Sequence, residues 1–214
     1  MPVVRIVRRV VIQLVRLCAL VSLFVAAAAQ AHAADIRVDA VLSGTAIPKS
    51  SGDMGRPGTL VETIYVSGER VRVDFKASSR LRGRIYRNGG RTLLRLPSGR
   101  VLPTGWLHLS QHVRLPVREP CFALDLACHG IGSRRIAGRE AVGWRFRHAG
   151  QQGPLGLDRG TFWLDAKTGM VLELKGRNLA DQTLQMHAVA VREAPLPDAL
   201  FSVPESRRRN QDAR

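Results

Sequence analysis

Two runs in the last third of the chain decide how it folds: Gly138–His148, GREAVGWRFRH, and Gly160–Lys175, GTFWLDAKTGMVLELK. In the first, Val142, Trp144 and Phe146 alternate with Arg145 and Arg147, the period of two that a half-buried strand requires. The second run breaks at Asp165-Ala166-Lys167-Thr168-Gly169. It therefore reads as two strands, Gly160–Asp165 and Met170–Lys175, pairing across a turn. An Asp at the start of such a turn bonds nearby amides with its own side chain, which is the reading preferred here over a catalytic carboxylate. Phe162 and Trp163 are neighbours, so in a strand they point to opposite faces and only one of them belongs to the core.

The same pattern extends outward. Ile36, Val38, Ala40 and Leu42 alternate with polar residues in Asp35–Ile47. Thr59–Val66 and Arg70–Lys76 form a hairpin around Ser67-Gly68-Glu69, with Val71, Val73 and Phe75 opposite Arg70, Arg72, Asp74 and Lys76. Arg84–Arg87 and Arg91–Leu96 flank Asn88-Gly89-Gly90, residues that tolerate the positive φ of a tight hairpin turn. Thr183–Arg192 is a last alternating strand. Trp106–Val113 has the spacing of one or two helical turns, with Trp106, Leu109 and Val113 on a shared face. Lys49–Gly58 and Ala149–Arg159 read as loops, and Leu200–Pro204 as an apolar terminal anchor. These residues predict nine or ten short strands with little helix, hence one antiparallel sheet or barrel.

The first 33 residues are set apart as a signal peptide. Arg5, Arg8, Arg9 and Arg16 precede the apolar Leu17–Ala29, and Ala31-His32-Ala33 offers a small-residue cleavage site. The apolar run is shorter than the roughly 20 residues of a spanning helix, and Cys18 lacks the small residues before it that lipidation needs. Residues 34–204 are then expected to form one domain, large enough for a real core, and residues 205–214 a disordered basic tail. Removing the four leader arginines from the formal charge of +16 leaves +12. That charge favours anionic partners and permits peripheral membrane contact. Export argues against nucleic acid.

Cys121 and Cys128 are the pair that remains, and an even pair in an exported chain reads as a disulfide. A zinc site with His108 and His112 is the rival, but six residues between the cysteines suit zinc poorly. His129 and His148 stand alone beside apolar strands and read as structural. No nucleophile elbow surrounds Ser43 or Ser98. Asp125, Asp158 and Asp165 lie in or beside turns. The Gly-rich stretches open no helix after a strand, so a phosphate cradle is excluded. No enzyme, metal or cofactor is expected.

Taken in order, RVRVDF (Arg70–Phe75), PC…CHGIG (Pro120–Gly132), GREAVGWRF (Gly138–Phe146), GTFWLDAKTGMVLEL (Gly160–Leu174) and LFSVP (Leu200–Pro204) resemble the periplasmic lipoprotein-carrier (LolA/LolB-like) superfamily, in an uncharacterised branch. The resemblance implies a mainly β fold: a strongly curved antiparallel sheet of about eleven strands, forming an unclosed half-barrel under a short helical lid. It also implies an apolar concave face for acyl chains, and an arginine that holds the lid, which the sequence does not single out. On this reading Val71, Val73, Phe75, Val142, Trp144, Phe146, Phe162, Leu172 and Leu174 are the candidate cavity-lining residues. The bland alternative makes the same residues ordinary sheet core. The expected protein is a monomeric periplasmic carrier of a lipid or a lipoprotein acyl chain. The alternative is an envelope sensor or scaffold acting through contacts with another envelope protein.

Overall fold

Eleven strands occupy one antiparallel sheet in a computed structural model that describes residues 35–48, 56–79, 81–104, 113–150 and 153–203. They are β1 (Ile36–Pro48), β2 (Pro57–Ser67), β3 (Arg70–Ala77), β4 (Arg82–Asn88), β5 (Arg91–Arg95), β6 (Val101–Pro103), β7 (Cys128–Ile136), β8 (Arg139–Phe146), β9 (Arg159–Asp165), β10 (Val171–Arg177) and β11 (Thr183–Glu193). The spatial order is β6-β5-β4-β3-β2-β1-β11-β10-β9-β8-β7. Two meanders thus join where the first strand pairs with the last, Ala40 opposite Ala188 and Leu42 opposite Met186. The edges β6 and β7 do not pair with each other, so the sheet is an unclosed half-barrel.

Alternation puts one apolar side chain per rung on the same face. Val38 faces Ile64 across β1 and β2, and Ile64 faces Val73 across β2 and β3. On the other side, Leu174 lies opposite Phe162 and Phe162 opposite Trp144. Val38, Phe162, Leu164, Leu172 and Leu174 are at most 1% exposed, so this face is the core. A shift of register between Val171 and Glu173 lets both Val171 and Leu172 be buried, which strict alternation would forbid. Burying each such side chain stabilises by roughly 1.5–3 kcal/mol.

The opposite face is polar and paired. Arg72 binds Asp74 through two hydrogen bonds of 2.7 and 2.6 Å and lies over the rings of Tyr65 and Tyr86, which hides Tyr86 from solvent. Its guanidinium also donates to the Leu200 carbonyl at 3.1 Å, and Arg70 sits 4.7 Å from the Phe201 ring. Those contacts fasten the terminal anchor to β3, as its apolar sequence predicted; Pro204 and the expected disordered tail lie outside the described residues.

Three sequence expectations change. Cys128–Ile136, where the sequence reading places no strand, is the edge strand β7. Val101–Pro103 forms a short strand in a stretch without a legible pattern. β4 begins at Arg82, two residues before the strand expected at Arg84–Arg87. Phe75 keeps its expected place on the covered face and is half-buried, with its ring against Gly83, where an added Cβ would come within 2.8 Å of it. The Trp106–Val113 helix and the loop at 49–55 fall outside the described residues, apart from Val113. Cys121 and Cys128 are joined in a disulfide with Cα atoms 6.0 Å apart, so neither is available as a thiolate ligand. The bridge ties the 3₁₀ turn Phe122–Leu124, which buries Leu124, to the first residue of β7. The Asp165 turn forms as read: Oδ1 accepts from the amides of Lys167 (3.0 Å) and Thr168 (2.8 Å).

Candidate functional site

The buried face opens at one end of the sheet into a cavity of about 570 Å³. Two hairpin tips and a crossing segment form its walls. The β2–β3 tip supplies Val66, Gly68, Glu69 and Val71, the β9–β10 tip supplies Lys167 and Thr168, and residues 113–117 bridge between them. Val113 and Leu115 in that segment are buried against the core. Arg114 and Leu115 hold it in place: Arg114 Nε donates to the Thr168 carbonyl at 2.8 Å, and the Leu115 amide to the Gly169 carbonyl at 2.9 Å. Gly169 permits this approach, with φ of +73° and no room for a Cβ beside the Leu115 carbonyl.

The floor is apolar and the rim charged. Arg87 comes from the covered face of β4, opposite Val71, and lies 3.7 Å from Glu69. Lys167 donates to Glu193 at 2.8 Å, and Arg139 bridges Glu193 (2.6 Å) and Asp165 (2.6 Å) behind the same tip. The bonds from Lys167 and Arg139 hold the Glu193 carboxyl below the usual carboxylate range. Burial pushes the Asp165 carboxyl up, but Arg139 and Thr168 outweigh it and the net direction is down. These acids are therefore ionised partners of basic groups, and none is poised as a proton donor.

Glu62 differs from them. It occupies a core-facing position of β2, between Ala40 of β1 and Phe75 of β3. It has no ion pair or hydrogen bond among the described residues, and burial alone pushes its carboxyl up to about 7. The only sequence signal for it was an acid in phase with Leu60, Ile64 and Val66. Arg87 and Val113–Val117 were likewise missed as site residues.

Of the nine candidate lining residues, the sheet brings all to the covered face, but only Val71 borders the cavity at the hairpin tips. Val73, Phe146, Phe162, Leu172 and Leu174 are packed in the core, with the Phe146 and Phe162 rings 5.9 Å apart. Val142 and Trp144 are half-buried against the same cluster, as is Phe75 in its own strand. Trp163 takes the other face, beneath the Arg134 guanidinium at 4.0 Å. His129 and His148 are exposed, and Asp125, Asp158 and Asp165 do not converge. Asp158 instead accepts from the Gly150 amide at 3.0 Å.

No protein-family profile matches the chain, and no curated protein matches it in sequence. Solved structures do. An uncharacterised conserved protein from Thermus thermophilus is 11% identical, over 79% of this chain and 84% of its own, with a TM-score of 0.49. A LolA superfamily protein from Nitrosomonas europaea is 10% identical over 79% of this chain and 90% of its own, with a TM-score of 0.38. The complex of MucA and MucB from Pseudomonas aeruginosa includes a chain 22% identical over 78% of this one and 55% of its own, with a TM-score of 0.43. This chain thus spans about half of that larger protein.

Proposed function

We propose that the chain is an exported, non-enzymatic binding or carrier protein, taking a lipid or the acyl chain of a lipoprotein against the covered face of its sheet. The observation that carries this reading is the cavity between the hairpin tips. Val66, Val71, Val113 and Leu115 offer an apolar floor, while Arg87, Arg114 and Lys167 outnumber Glu69 at the rim. An acyl chain gains about 0.8 kcal/mol for each methylene that leaves water, and the rim favours an anionic headgroup. A volume of this order is ordinary for a small-ligand site.

Protein contact by strand addition has less support. β6 is three residues long, and β7 is bulged at Gly130–Gly132 and carries Arg134 and Arg135, devices that blunt a sheet edge. Native mass spectrometry of protein purified without detergent, with titration of a fluorescent fatty acid, tests the carrier reading. Co-purified lipid and uptake that is lost in a folded Val71→Glu variant are expected. Protein that is only apo and takes up no fatty acid would sink the proposal.

A further inference from the structure

A second concavity lies at the opposite end of the sheet, on the polar face. It measures about 530 Å³ and runs along the ends of β8, β9, β10 and β11. Register explains its lining. Arg145, Thr161, Lys175 and Gln185 form one continuous cross-strand row, and Arg159, Arg177 and Thr183 form the next, with Arg147 just beyond the end of β8. Between the rows Gly160 faces Gly176, and a Cβ on either would come within 2.3 Å of the partner strand's backbone, so neither position accepts a side chain.

Among the described residues, five cationic side chains and no acidic one line this cleft. Asp181, outside the lining, spans Arg159 and Arg177 with two 2.7 Å contacts and fixes both guanidinium groups; Asp158 adds a 3.5 Å contact to Arg159. Arg145, Arg147 and Lys175 are exposed and have no acidic partner among the described residues. Glu173, one rung away, is already engaged by Arg134 and His187. Elsewhere on this face Arg37, Arg72 and Arg134 each have an acid in contact, whereas Lys76 and Arg82, opposite each other on β3 and β4, have none among the described residues. What sets the cleft apart is that three cations without an acidic partner border one concave surface, with the hydroxyl of Thr161 as a neutral donor beside them.

We propose that this cleft binds a phosphate-bearing anion. Arginine forks match phosphate oxygens in pairs of parallel hydrogen bonds, and lysine adds a point charge. The volume exceeds one phosphate and accommodates the group that bears it. The site is on the face opposite the apolar cavity and does not depend on the carrier reading.

The test uses sedimentation with phosphatidylcholine vesicles, with and without phosphatidylglycerol, and a parallel titration with glycerol 3-phosphate followed by NMR. The variant combines Arg145→Gln, Arg147→Gln and Lys175→Gln. A charge-matched control combines Arg82→Gln, Arg91→Gln and Arg100→Gln on the far half of the sheet. Binding to the anionic vesicles should fall about a hundredfold in the cleft variant and little in the control, which supports the cleft and assigns a lipid headgroup. Binding of glycerol 3-phosphate alone, lost in the cleft variant, supports it with a soluble ligand. Equal losses in the two variants, or no binding to either probe by the wild type, would overturn it. Lys175→Gln by itself carries the same comparison if the triple variant does not fold.

Discussion

At the residue scale, Glu62 is the group with the most chemical consequence. The acids on the polar face all sit beside a guanidinium or ammonium, whereas Glu62 has Ala40, Phe75 and the apolar core-facing residues of its own strand around it. Its carboxyl is held at about 7, above its ordinary value of 4.5. The unfolded chain therefore releases this proton at a lower pH than the folded one. Stability is unaffected well below 4.5, declines as pH rises from there to about 7, and is flat above. Glu62→Gln removes that decline. The variant should match the wild type in acid and exceed it above neutrality by up to about 3 kcal/mol. Denaturant melts at several pH values measure the difference. A gap that does not change with pH would show a solvated carboxyl. Alternation puts this position in phase with Leu60, Ile64 and Val66, but the residue type hides it, because an acid in a strand is ordinarily taken for the wet side.

At the element scale, β8 and β9 show how close the strands lie where side chains are small. Gly143 has extended backbone and could accept any residue on conformational grounds. Its constraint is the Trp163 ring, which an added Cβ would approach to 2.7 Å, with Ile131 as near on the other side. Trp163 is in turn clamped by Arg134, whose other contact is Glu173. Gly143→Val should displace the indole, break that stack and destabilise by about 1–3 kcal/mol, read as a lower melting temperature with loss of the near-UV tryptophan signal. An unchanged signal would mean that the ring has room to move. The strands that sequence reading found, such as β3, β8 and β9, have one apolar and one polar face. β7 escaped it because Gly130, Gly132, Ser133, Arg134 and Arg135 give an edge strand little to bury. β6 escaped it because three residues contain no period. Phe162 and Trp163 were separable from sequence because neighbours in a strand must diverge; which of them is core followed only from the rungs that Phe162 shares with Trp144 and Leu174.

At the scale of the whole molecule, the covered face was legible but its opening was not. Alternation assigns a residue to a face. It does not say which part of that face other chain segments leave free, because that depends on how the two meanders curve toward each other and what crosses between them. Here residues 113–117 cross at the hairpin tips, far in sequence from both β2–β3 and β9–β10, and two bonds to the Thr168 and Gly169 carbonyls hold them there. The Arg114 bond is charge-assisted and only partly buried, the kind whose loss costs on the order of 1.5–3 kcal/mol. Arg114→Ala should therefore let this segment lift while the sheet stays intact. The Leu115 amide should exchange at least about tenfold faster with solvent, whereas amides of the central β1–β11 pairing keep their protection. Under the carrier reading the same variant admits a fluorescent fatty acid faster in stopped flow and releases it faster. If Leu115 exchange accelerates while uptake does not, ligand enters elsewhere along the covered face. If neither changes, the backbone bond to Gly169 and the burial of Val113 and Leu115 suffice to keep the segment closed.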